Sequence, residues 1–121
     1  MLEVMLQKRL EGFWLDVEFT AYDGLVVLFG PSGSGKSLTL QAIAGIGAPD
    51  SGMIRLDGQV LYDSAGRHSL SPQQRHVGYV PQHYALFPHL TVAQNIAFGL
   101  SALARSARRQ RVAELLELFH L

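Results

Sequence analysis

Leu25-Val-Val-Leu-Phe-Gly-Pro-Ser-Gly-Ser-Gly-Lys-Ser37 decides the reading of this chain. Its first five residues are uninterruptedly apolar and partly β-branched, the composition of a strand buried on both faces. The next eight match the pattern G-x-x-x-x-G-K-[ST]. Gly30, Gly33 and Gly35 allow backbone conformations that a Cβ would forbid, so that successive N–H groups can converge on one anion. Lys36 adds a point charge for the outer phosphates, and the Ser37 hydroxyl is an oxygen ligand suited to Mg²⁺. Leu38, Leu40, Ala42, Ile43, Ala44 and Ile46 continue as a helix, bounded by Gly45, Gly47 and Pro49. That helix aims its positive end at the same anion. Strand, loop and helix together predict that Gly30, Pro31, Ser32, Gly33, Ser34, Gly35, Lys36, Ser37 and Leu38 form a cradle for a nucleoside triphosphate.

Upstream, Glu3 to Leu10 reads as a strand pairing at a surface. Phe13, Leu15, Val17 and Phe19 alternate with Trp14, Asp16, Glu18 and Thr20, the period of a half-buried strand. Gly12 is the turn between the two, and Tyr22-Asp-Gly24 is a second turn signal. Downstream, Asp57-Gly58 marks a two-residue hairpin between Met53–Leu56 and Val60–Tyr62. Asp63 to Gln74 is polar and reads as a loop. Val77 to Val80 reads as a short buried strand closed by Pro81. Thr91 is placed to cap a helix over Val92 to Gly99, and Val112, Leu115, Leu116 and Phe119 form the apolar stripe of an amphipathic helix.

The 121 residues suffice for one modest domain, and 48% hydrophobic against 17% charged residues fits a packed core rather than a disordered chain. Ten Lys and Arg balance ten Asp and Glu, so the basic footprint of a nucleic-acid binder is missing. With no cysteine, disulfides and thiolate chemistry are excluded within these residues. The charge-interrupted N-terminus does not read as a secretory signal, and Leu25–Phe29 is far too short to cross a bilayer, which points to the cytoplasm. The five histidines have no metal-ligand spacing. Arg105, Arg108, Arg109 and Arg111 read as a solvated helix face opposite the apolar stripe.

Beyond the phosphate loop, Ala44-Gly-Ile46, Pro49-Asp-Ser-Gly-Met-Ile54, Leu56-Asp-Gly58, Arg75-His-Val-Gly-Tyr-Val-Pro-Gln82, Ala85-Leu-Phe-Pro-His-Leu-Thr-Val92 and Asn95-Ile96 follow in order. With these motifs the chain resembles, from about residue 2 to 121, the ATP-binding subunit of ABC transporters. The resemblance implies an α/β fold, a P-loop NTPase-type ABC ATPase core. It would comprise an N-terminal β-subdomain, the P-loop strand and helix, and the start of a helical subdomain, with an incomplete sheet. It implies ATP and Mg²⁺ as ligands. Lys36 and Gln82 would be the catalytic-site residues, and Ser37 and Gln82 the metal ligands. An aromatic near the end of the first hairpin would stack on adenine, Phe13 by alignment, with Trp14 the alternative.

The partners implied are a membrane permease subunit, met through Tyr84–Val92, and a second copy in a head-to-tail homodimer, with no nucleic acid. The implied location is cytoplasmic, peripheral on the inner face of the cell membrane. Within the family the chain looks most like importers of molybdate, with sulfate, tungstate and ferric-iron importers as near relatives. Residues 1–121 would be the N-terminal portion of the ATP-binding domain, ending before the L-S-G-G-Q signature, the Walker B acids and the switch histidine. Such a chain is expected to bind ATP without efficient turnover. The alternative is a stand-alone nucleotide-binding module that regulates or competes with an intact ATPase.

Overall fold

A computed structural model describes all 121 residues, which divide into two units, Met1–Tyr79 and Val80–Leu121. In the first unit the alternating segments become strands β1 (Leu2–Leu10) and β2 (Phe13–Ala21), an antiparallel pair turning at Glu11–Gly12. Their register sets Leu6 opposite Val17 and Val4 opposite Phe19, so one face gathers the apolar side chains. Strand β3 (Ser51–Leu56) pairs with the other edge of β1, bringing Ile54 opposite Val4. The Asp57–Gly58 turn, with φ of 48° and 82°, leads into β4 (Gln59–Asp63), as the dipeptide predicts. A two-residue strand β5 (His68–Ser69) completes an antiparallel sheet of order β2-β1-β3-β4-β5.

Helix α1 (Lys36–Ala44) packs its buried side against this sheet. Ala42 and Ile43 join Val4, Leu6, Ile54 and Leu61 in one cluster, the last three of these being fully inaccessible. A short helix α2 (Pro72–Arg75) follows, with Pro72 in its first turn and the Gln74 side-chain oxygen accepting from the Ser71 N–H at 3.0 Å. The expectation of an unstructured loop over Asp63–Gln74 is therefore corrected. This segment lacks an apolar period because β5 and α2 are fastened by polar side chains.

Two expected strands do not form. Leu25–Phe29 joins no sheet, with Leu25 93% and Phe29 99% exposed, and Val77–Val80 joins none either, with Val80 92% exposed. A strand made for burial on both faces needs ladder partners, and none of the strands in these 121 residues pairs with either tract. The α/β class stands with an incomplete sheet, but the P-loop strand of the expected core is an unpaired extended segment.

In the second unit, α3 (Val92–Phe98) starts at Thr91, whose hydroxyl accepts from the Gln94 N–H at 3.2 Å while Gln94 Oε1 accepts from the Thr91 N–H at 2.8 Å. Thr91 thus caps the helix as expected, and the return bond from Gln94 is an addition that the sequence did not specify. Helix α4 (Arg105–Leu118) begins well before the apolar stripe from Val112. Neither helix has a buried residue. No helix of the chain is long and apolar enough to cross a membrane.

Candidate phosphate-binding site

Two of the three loop glycines take conformations that favour glycine, whereas Gly30 does not have a positive φ and a Cβ there would instead lie 2.8 Å from Ser34 Oγ. Gly33 and Gly35 hold left-handed conformations, φ 80° and 92°, and Gly35 forms the N-terminal boundary of α1. The Ser34 N–H donates to Pro31 O at 3.2 Å, closing a tight turn. At its centre sits Lys36, whose Nζ donates to Gly30 O and Pro31 O, both at 2.7 Å, and to Ser34 Oγ at 3.3 Å. All three ammonium donors therefore point into the loop. Around Gly33 a Cβ would meet nothing within 4 Å, so the loop's outer side is open. Ser37 is exposed in the first turn of α1, and Thr39 Oγ1 donates to Gly35 O at 2.9 Å from a buried position, tying helix to loop.

Strand β2 braces this loop from behind. A methyl group on Gly35 would lie 2.5 Å from Leu15 Cδ1 and 3.5 Å from Phe13 Cε1. Phe13 thus faces the loop, whereas the neighbouring Trp14, on the other face of β2, is exposed. A shallow depression of about 370 Å³ at this end of the hairpin is lined by Arg9, Leu10, Gly12, Phe13 and Trp14.

Leu15 and Arg75 were not singled out from sequence. Leu15 carried a signal as a buried position of β2, but nothing in its type says that it meets a glycine of the loop. Arg75 is buried and donates to carbonyls at the C-terminal end of α1, Ala42 O at 2.7 Å and Ile43 O at 3.0 Å. Burial draws its pKa below the ordinary guanidinium value.

Gln82 lies in the second unit, exposed after Pro81. The following segment is organised by Asn95. Its Oδ1 accepts from the Phe87 N–H at 2.9 Å, and its Nδ2 donates to Phe87 O, Leu90 O and Thr91 O at 3.2, 3.1 and 3.0 Å. The Phe87 and Phe98 rings lie 4.5 Å apart. A cleft of about 490 Å³ is lined by Leu86, Phe87, Leu90, Val92, Ile96, Leu115 and Phe119, so the stretch expected to meet a partner presents apolar surface. The expected solvated arginine face is corrected at Arg108, whose guanidinium is bound to the chain itself. It donates to Leu100 O, Ser101 O and Leu103 O at 3.1, 2.9 and 3.0 Å, holding the connection that precedes α4.

Comparison with known proteins agrees with this arrangement. Residues 15–121 match the ABC transporter family. The molybdate/tungstate import ATP-binding protein of Archaeoglobus fulgidus is 47% identical over 116 residues, which are 96% of this chain and 46% of that protein. The sulfate/thiosulfate import ATP-binding protein of Gloeobacter violaceus is 56% identical over 99 residues, 80% of this chain and 27% of that protein. The chain thus spans less than half the length of these relatives. An ATP-binding cassette solved as a dimer in a post-hydrolysis state, bound to ADP and Pi, superposes over 100% of this chain and 58% of its own, with a TM-score of 0.75 and 26% identity. By its glycine loop, its fold and its similarity over nearly its whole length, this chain belongs to the ABC transporter family.

Proposed function

We propose that the chain holds the phosphates of Mg-ATP in the loop Gly30–Ser37 and is the nucleotide-binding part of an importer ATPase. The observation that carries this reading is the loop itself, two left-handed glycines wrapped around the Lys36 ammonium at the N-terminal end of α1. Triphosphate oxygens entering from the open side at Gly33 would exchange for the loop carbonyls as partners of Nζ. They would also meet the free N–H groups of the first turn of α1. Phe13, facing the loop from β2, is the aromatic suited to stack on adenine.

Ser37, exposed in the first turn of α1, offers a hydroxyl oxygen, a hard donor suited to Mg²⁺, and by the family resemblance the amide oxygen of Gln82 would be a second hard donor. These two residues would hold the ion, which supplies charge neutralisation to the phosphates when bound. Gln82 would also contribute to the catalytic site by orienting water. The 121 residues contain neither an L-S-G-G-Q sequence nor an Asp-Glu pair after a buried strand. Binding without efficient turnover is therefore the activity proposed for this chain.

The relatives named for molybdate/tungstate and sulfate/thiosulfate import support an oxyanion such as molybdate as the cargo, although other relatives are named for Fe(3+) import. The apolar cleft at Leu86–Val92 suits a permease subunit, which would keep the protein on the cytoplasmic face of the membrane, peripheral to it. The cassette solved as a dimer supports a pairing of two copies in the complete ATPase, which the family resemblance would make head-to-tail.

Titration calorimetry with Mg-ATP tests the central claim. Removing a charge-assisted contact of about 1.5–3 kcal/mol should make Lys36→Ala bind roughly ten- to a hundredfold more weakly. Equal affinity of the two proteins would remove the loop from the site. ATPase turnover by this chain as fast as that of an intact relative would overturn the proposal of binding alone.

A further inference from the structure

We infer that Arg75 is a positioning residue for the phosphate loop, acting through the far end of α1. The inference rests on the reading that residues 30–37 hold a triphosphate. Arg75 is only 4% exposed, yet none of the chain's three ion pairs includes it. A buried guanidinium is costly unless its N–H groups find partners. Its partners here are carbonyl and hydroxyl oxygens. Nη1 donates to Ala42 O at 2.7 Å and Ile43 O at 3.0 Å, Nε to Leu70 O at 2.9 Å, and Nη2 to Ser69 Oγ at 3.4 Å.

Ala42 and Ile43 lie in the last turn of α1, where the helix dipole favours a cation and carbonyls take partners beyond the helix; Ala42 O also accepts from the Gly45 N–H at 3.2 Å. Gly45 closes that turn at φ 81°, and a Cβ on it would lie 2.7 Å from Arg75 Nε. Glycine therefore serves twice at this position, for the left-handed backbone and for the space the guanidinium fills.

Helix α1 has nine residues, about 13 Å, too few to persist without tertiary support. It is fastened at both ends, by Leu15 against Gly35 at the loop and by Arg75 at Gly45. Lys36 is its first residue, so a tilt or slip at the Gly45 end reaches the ammonium and the N–H groups of the first turn. Sites of this kind need their groups held within about 0.5 Å. Phe13 belongs to β2, so contacts to the base do not depend on the Arg75 fastening. Loss of Arg75 should therefore fall on the outer phosphates and spare the rest of the nucleotide.

The test compares the affinities of ATP and AMP for the 121-residue chain by calorimetry. Arg75→Ala should lower the ATP-to-AMP affinity ratio at least tenfold while the AMP affinity stays within twofold. Arg75→Lys retains the charge but cannot reach three carbonyls with one nitrogen, so it should recover only part of the ratio. Gly45→Ala, which drives a methyl into Nε, should lower the ratio with Arg75 still present, and these two variants decide the matter if Arg75→Ala does not fold. Gly58→Ala strains the β3–β4 turn away from α1 and is the control for general destabilisation, with an unchanged ratio. A ratio within twofold of the wild type in the folded Arg75 and Gly45 variants would overturn the inference. An equal fall in Gly58→Ala would do the same. Failure of the wild type to bind ATP would instead remove the reading of the loop on which the inference stands.

Discussion

The two units of this chain are held by different physics. Met1–Tyr79 is organised around side chains removed from water, with Leu6, Ile54 and Leu61 fully buried where the sheet meets α1. In Val80–Leu121 no helix buries a single residue, and the chain is held by side chains that bind backbone groups, Asn95 on the Phe87–Thr91 stretch and Arg108 on Leu100–Leu103. Hydrophobic burial gives stability in proportion to area, whereas hydrogen bonds near the surface fix shape at little net gain. The first unit is therefore built to hold a precise loop in place. The second is a shaped surface whose helices contribute no buried residue.

The sharpest way to break this contrast is to excavate the core. Ile54→Ala, at a fully inaccessible position opposite Val4, should cost about 2–5 kcal/mol, measured by denaturant unfolding of the first unit. Ile96→Ala, on a helix without buried residues, should cost well under half as much. Equal losses would mean that the second unit has a core of its own.

A smaller effect should follow from Asn95→Ala. It removes one acceptor and three donated bonds, but from groups that water can largely reach, so the cost should be about 1 kcal/mol and local. Hydrogen exchange should quicken at the Phe87 amide while the amides of β1 and β3 keep their protection. Protection lost throughout the chain would show that Asn95 supports more than its own loop.

The same division explains what could be read from sequence. Strand β2 was legible from its alternation and the β3–β4 turn from Asp57-Gly58, because both signals are local. The C-terminal end of α1 was legible from Gly45, although Ile46, read as helical, lies beyond the cap. The left-handed turns at Gly33 and Gly35 were equally plain, since they belong to the backbone of one short segment. Leu25–Phe29 misled because its composition reports the environment a strand is made for, while a ladder depends on residues remote in sequence. Helix α2 and Arg75 stayed hidden for a related reason. An arginine in the polar run Ser71–His76 looks like a solvated charge, and only the fold reveals that it reaches a carbonyl 33 residues earlier. Arg108 was hidden in the same way, its carbonyl partners identified only by the path of the preceding loop.

The smallest expected effect lies on α4, at the least anchored end of the contrast. Arg111 Nη1 donates to Glu114 Oε2 at 3.0 Å and Gln110 Nε2 to Glu114 Oε1 at 3.1 Å. The hydrogen bond from Arg111, then that from Gln110, holds the Glu114 carboxyl below its ordinary pKa. A carboxylate whose folded pKa is depressed contributes fully above its unfolded pKa, and that contribution fades as pH falls through the folded value. The helical signal should therefore slip slightly as the solution is acidified through and below the usual carboxylate range, and Glu114→Gln should remove that component of the titration. Because the pair is exposed and screened, the slip should also shrink in salt. The buried core of the first unit has no such dependence on salt, so a salt-insensitive acid transition in α4 would show that this helix is anchored more deeply than its exposed side chains indicate.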